Sequence, residues 1–146
     1  GALDDAAAND GFNLVTQQTA EWNAEKAQQI VQSVIDAGTP FNVIYAENDD
    51  MAKGAVAALD KANISHGVGK DVIVMGFDCN KWALEELKAG NWNYDGQCNP
   101  FQASYIDEII KKLENGETIS EKTIIMDEKG FDATTITQED VDNYGI

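Results

Sequence analysis

Three polar residues stand just past the ends of short apolar runs: Asn48, Asp78 and Gln97, with Trp22 just past a fourth such run. Two amides and a carboxylate supply the paired donors and acceptors that adjacent hydroxyls require. A carboxylate accepting from hydroxyls makes the stronger, charge-assisted kind of hydrogen bond. An indole adds a flat apolar face for a C–H surface. The set suits a hydroxyl-rich ligand such as a sugar. Each member also has a plainer use: Asn48 and Asp78 as helix caps, Gln97 in a turn, Trp22 as a plug at a sheet edge.

Reactive chemistry has less support. His66 is the only histidine and lies in the Gly-rich stretch Ser65–Lys70, away from the strand tips, where a solvated role is expected. No serine or cysteine has a base partner in sequence, so no catalytic set is assigned. Gly67-Val68-Gly69-Lys70 lacks the spacing of a phosphate loop and precedes a strand instead of a helix. Asp127, Glu128 and Asp132 lack the alternating oxygen ligands of a calcium loop, so no metal is expected. Asp49 and Asp50 resemble the acidic pair of a phospho-receiver, but no lysine ends a strand.

The elements that must position the four residues alternate. Gly11–Gln17 reads as a first strand, Phe41–Ala46 as a second, Asp71–Phe77 as a third and Asn93–Gln97 as a fourth. Between them, Trp22–Ala37 sets Ala27, Ile30, Val31, Val34 and Ile35 on one helical face and ends at Gly38. A second helix runs from Asp49 or Asp50 to about Asn63, and Asn80 caps a third. Asn99 as N-cap with Pro100 at N1 opens a helix to Glu114, striped by Phe101, Tyr105, Ile106, Ile109, Ile110 and Leu113. Thr123–Met126 reads as a last strand, and Thr137 with Asp140 as the start of a short terminal helix. Strands alternating with helices predict an α/β fold: an open, mostly parallel sheet with helices on both faces. In such sheets ligands collect outside the carboxyl ends of the strands, where Asn48, Asp78 and Gln97 fall.

Composition narrows the partners. Ten basic against 26 acidic residues give a formal charge of −16, and every basic residue is lysine. That surface repels nucleic acid and anionic membranes. No apolar run is long enough to span a bilayer. The start at Gly1, without a basic-then-apolar leader, reads as a processed or truncated product. Cys79 and Cys98 each follow a strand-end residue, so on neighbouring strands they would form a bridge adding roughly 3 kcal/mol. The alternative is two small buried thiols.

Gln18-Thr19-Ala20-Glu21-Trp22-Asn23, Ala46-Glu47-Asn48-Asp49-Asp50-Met51-Ala52-Lys53-Gly54-Ala55, Val74-Met75-Gly76-Phe77-Asp78 and Gly96-Gln97-Cys98-Asn99-Pro100-Phe101 resemble the type I periplasmic sugar-binding proteins of ABC transporters, close to the ribose and galactose branches. The resemblance implies that Trp22 stacks on a monosaccharide, pentose or hexose, while Asn48, Asp78 and Gln97 bond its hydroxyls. It implies no cofactor, and a binding rather than an enzymatic role. The partners it implies are an ABC permease and a second lobe that closes over the sugar, and the localisation is exported, periplasmic or lipid-anchored at the cell surface.

Under the same resemblance the chain corresponds to the later portion of such a protein. Residues 1–98 form the C-terminal lobe core without its first strand, 99–126 belong to the other lobe, and 127–146 return through the hinge to the C-terminal lobe. Without that lobe the stripe from Phe101 to Leu113 would lie bare, so it is expected to be covered by a separate chain such as the N-terminal lobe, by a swapped copy of this chain, or by a docking unlike the family's. The rival readings are the effector-sensing lobe of a LacI-like regulator and an α/β enzyme or phospho-receiver. The stretch Asn91–Gln97 lacks the proline-rich run and arginine usual in the regulators, and the negative charge opposes a DNA partner.

Overall fold

β-branched runs that end in polar residues, followed by alanine-rich helical stripes, build an open α/β sheet. The computed structural model describes residues 11–146 and Ala8. In chain order the elements are α1 (Ala24–Asp36), β1 (Val43–Tyr45), α2 (Asp49–Lys61), β2 (Ile73–Asp78), α3 (Lys81–Lys88), β3 (Tyr94–Gln97), α4 (Ala103–Glu114), β4 (Gly130–Asp132) and α5 (Gln138–Tyr144). The strand order is β1-β2-β3-β4, with β1, β2 and β3 mutually parallel and β4 antiparallel to β3. The mostly parallel sheet expected from the alternation is present.

Alternation along the strands sorts the two faces. Val72, Val74 and Gly76 are buried on one side, and Ile73, Met75 and Phe77 face the other, where Ile73 and Tyr45 are exposed. The core holds Met51, Ala52, Leu59, Val74, Ala83, Leu84, Leu87, Trp92 and Val141. α1 lies hard against α2, because Gly54 has no side chain: a Cβ there would stand 2.0 Å from the Ala24 carbonyl oxygen. Asn23 caps α1, its Oδ1 accepting from the Lys26 N–H at 2.9 Å. α5 opens with the expected capping box of Thr137 and Asp140.

Two expected strands do not form. Residues 11–17 are exposed and unpaired, and 123–126 are likewise without a ladder. A strand is fixed by its hydrogen-bonded neighbour, and neither stretch has one. Beside β1, where residues 11–17 would need a partner, lies a cavity of about 690 Å³ lined by Phe12–Trp22 on one side and Pro40–Glu47 on the other. The strand that does form near the C-terminus is β4, at Gly130–Asp132, seated on β3 with Phe131 opposite Asp95.

α4 also begins later than expected, at Ala103. Asn99 caps nothing helical: its Oδ1 accepts from the Phe101 N–H at 2.8 Å, closing a local turn. No residue of α4 is buried, and this chain does not cover its apolar stripe: Phe101, Ile106, Ile110 and Leu113 are 69%, 52%, 49% and 55% exposed.

Candidate functional site at the strand ends

The three parallel strands end along one edge of the sheet, and their tips carry the polar residues. Asp78 and Gln97 are register partners at the ends of β2 and β3, so both side chains belong to one face. Asn48 follows β1, the neighbour of β2. Trp22 lines the cavity beside β1 together with Ala46 and Glu47 and is 67% exposed. Sheet order thus brings Asn48, Asp78 and Gln97 to one edge and leaves Trp22 open at its β1 end.

The hydrogen bonds already made define what remains to offer. Asn48 Oδ1 accepts from the Met51 N–H at 2.9 Å, capping α2 and leaving its Nδ2 to donate. Gln97 Oε1 accepts from the Lys129 N–H at 3.3 Å while the Gln97 N–H donates to the Lys129 carbonyl at 2.8 Å. Its Nε2 is likewise left as a donor. Between them stands the half-buried Asp78 carboxylate, at the end of β2. Burial raises the Asp78 carboxyl above its ordinary value, with the Asp50 charge adding to the rise and the Asp49 N–H opposing it. Two amide donors flank one partly buried acceptor, the pattern that vicinal hydroxyls satisfy.

Both ends of this set rest on unusual backbone. Glu21 and Trp22 have φ of 52° and 59°, and Asp78 and Cys79 have φ of 128° and 61°. Consecutive non-glycine residues in this region carry strain that the surroundings must hold, and such strain gathers at binding sites.

Beneath Asp78 lie residues that sequence reasoning did not select. Asp49 and Asp95 are fully buried. Asp49 Oδ2 accepts from the Asn80 backbone N–H at 2.8 Å and from Asn80 Nδ2 at 3.1 Å. Asn80 therefore does not cap α3 as expected; its side chain is spent on Asp49. Burial pushes the Asp49 carboxyl up, to about 6, and the Asp95 carboxyl up, to about 8, the latter also raised by the Asp49 charge. Asp95 was detectable as an acid inside a strand, where acids are depleted. Asp49 carried no separate signal within the polar run Glu47–Asp50.

Of the two alternatives for the cysteines, the bridge does not form. Strand register does place Cys79 and Cys98 one step beyond the Asp78–Gln97 pair. The left-handed turn at Cys79 sends its thiol into the core toward Asp95, with Sγ 3.8 Å from Oδ1, while Cys98 is exposed; both are free. Burial, with the nearby acids, raises the Cys79 thiol far above its usual range, so it is an inert neutral group. His66 is not solvated either. Its side chain is 12% exposed, Nδ1 lies 2.8 Å from the Asn91 carbonyl and Nε2 3.1 Å from Asp60. Trp82 and Trp92 serve packing, their rings meeting edge to face at 5.9 Å. Among the described residues no His, Cys, Asp and Glu group is placed to hold a metal ion.

Residues 2–118 match the model of a periplasmic binding protein domain. The chain belongs to that family. Within the family, it is 31% identical over 132 residues to the fructose import binding protein FruE of Bifidobacterium longum, covering 89% of this chain and 38% of that protein. The ribose import binding protein RbsB of Bacillus subtilis is 32% identical over 81 residues, 56% of this chain and 25% of that one. A solved ABC transporter periplasmic solute binding protein from Actinobacillus succinogenes, with bound D-allose, superposes with a TM-score of 0.79 at 30% identity. That match covers 99% of this chain and 48% of the other. The chain thus spans less than half the length of these periplasmic binding protein relatives, which are named as import or solute-binding proteins and not as enzymes.

Proposed function

We propose that this chain is part of an exported monosaccharide-binding protein that serves an ABC-type uptake system, with Asn48, Asp78 and Gln97 bonding sugar hydroxyls and Trp22 stacking on the ring. The observation that carries the reading is the sheet edge itself: three adjacent parallel strands end in donor, acceptor and donor. The named ligands of the relatives, fructose, ribose and D-allose, support a small polyol of this size. The chain performs no chemistry on its ligand. It supplies one wall of a cleft, and a second lobe closes over the sugar because the sugar bridges both.

In this reading residues 99–126 belong with the other lobe, which accounts for a 12-residue helix that buries nothing of its own. The closed protein is delivered to a membrane permease, the full protein being periplasmic or held at the cell surface by a lipid.

Calorimetric titration of the full-length protein with ribose, fructose, allose and galactose tests this. One of them is expected to bind saturably without turnover, and Asp78→Ala to weaken it roughly 10- to 100-fold, as loss of charge-assisted hydrogen bonds requires. Glu85→Ala, on the exposed side of α3, is the control. Equal effects of the two substitutions would remove Asp78 from the site.

A further inference from the structure

We infer that Asp49 and Asp95 share a single proton beneath the strand ends, and that this proton locks the turn that presents Asp78, making Asp95 a positioning residue of the binding edge. The inference about ligand rests on the sugar-binding reading; the shared proton does not.

The geometry leaves little else for the two side chains to do. Both are fully buried, and each has one oxygen satisfied and one bare. Asp49 Oδ2 holds Asn80, and Asp95 Oδ1 faces the Cys79 thiol, while Asp49 Oδ1 and Asp95 Oδ2 have no donor. Asp49 Oδ1 lies over Gly76, the register partner of Asp95 on the neighbouring strand, which sets the two carboxyls side by side. A proton carried on Asp95 and donated to Asp49 satisfies both bare oxygens at once; two ionised carboxylates would leave both bare and repelling. Gly76, the register partner of Asp95, makes the room, since a Cβ there would stand 2.6 Å from Asp49 Oδ1 and 2.8 Å from the Trp92 ring.

Asp49 in turn grips the turn: its side chain holds both nitrogens of Asn80, the residue directly after the left-handed Asp78 and Cys79. The surrounding charges favour retention of the proton. Asp78 acts on both carboxyls from β2 and Asp50 acts on Asp78 from α2. β4 opposes Asp95 with Phe131. The lysines of the flanking elements are engaged elsewhere: Lys53 over the Trp82 ring, Lys81 with Asp142, Lys129 with Tyr144.

The sign of the pH dependence follows. Both folded-state values lie above the ordinary carboxyl value, so the contribution is fully present below about pH 4. It is lost as pH rises through the folded values and is gone above about 8.

The experiment is carboxyl ¹³C NMR of aspartate-labelled chain from pH 4 to 10, for wild type and Asp95→Asn, with urea midpoints at pH 5 and 9. Wild type is expected to show one aspartate still protonated at neutral pH and a midpoint that falls between the two pH values. In Asp95→Asn, where the amide donates permanently to Asp49, the high titration disappears, Asp49 moves down and the midpoint becomes flat. Wild-type aspartates all titrating below pH 5 would overturn the shared proton even if the variant failed to fold.

In the full-length protein the same Asn variant is expected to hold sugar at pH 9 better than wild type, and Asp95→Leu to lose it at both pH values. A sugar affinity in wild type that ignores pH would overturn the positioning role. No binding by any variant at any pH, with the NMR result intact, would reject the sugar-binding reading and leave the proton in place.

Discussion

Asn48 does two jobs with one amide, and the two can be separated. Its Oδ1 caps α2, and its Nδ2 is the group left for a ligand. Asn48→Ala is expected to lose about 1 kcal/mol of stability with the cap and to weaken sugar binding as well. Asn48→Ser keeps a capping oxygen at nearly the same place and removes the donor. It is expected to match wild type in urea denaturation while binding sugar as poorly as the alanine variant. Restored binding in the serine variant would reduce Asn48 to a cap. The strand-end places of Asn48, Asp78 and Gln97 were legible in the sequence because each polar group ends an apolar run, whereas Trp22 was read from a strand at 11–17 that does not form. The pair beneath them was not. Which carboxylate of Glu47-Asn48-Asp49-Asp50 turns inward depends on helix phase and on the gap at Gly76, a contact across 27 residues of chain that no local pattern records.

Helices were readable from their own periodicity and caps, and strands only where a neighbour exists. α2 and α5 begin where Asn48 and Thr137 place them, because a cap and an amphipathic stripe are local properties. Residues 11–17 and 123–126 carry strand composition and form none, while the three residues of β4 succeed by pairing with β3 and burying Phe131. α4 is the sharpest case, a helix with a full apolar stripe and nothing under it. Ile106→Lys and Ile110→Lys in this chain are therefore expected to leave the urea midpoint where it is. Leu84→Ala, fully buried in α3, is expected to cost about 2–5 kcal/mol. Comparable losses from the α4 variants would mean that α4 packs on this chain's own sheet, and the assignment of 99–126 to another lobe would fall.

At the scale of the whole molecule two opposed properties meet. A net charge of −16 holds copies of the chain apart, whereas the bare stripe of α4, with Ile125 88% exposed nearby in sequence, draws apolar surfaces together. Salt acts on one and hardly on the other. At ~0.01 M ionic strength the repulsion reaches ~30 Å, about the size of a domain, and at ~1 M only ~3 Å. Hydrophobic contact is not screened, so association of this chain is expected to rise with salt, the reverse of an assembly held by ion pairs. Sedimentation equilibrium in low and high sodium chloride should show the average mass climbing above 15.9 kDa as salt is added. With Ile106→Lys and Ile110→Lys combined, it should stay at the monomer value. A mass indifferent to salt in both would separate the stripe from any role as a covered surface. A mass that falls with salt would place the contact on charges instead of on the stripe. If a second lobe covers the stripe, as proposed, the full-length protein is expected to remain monomeric throughout.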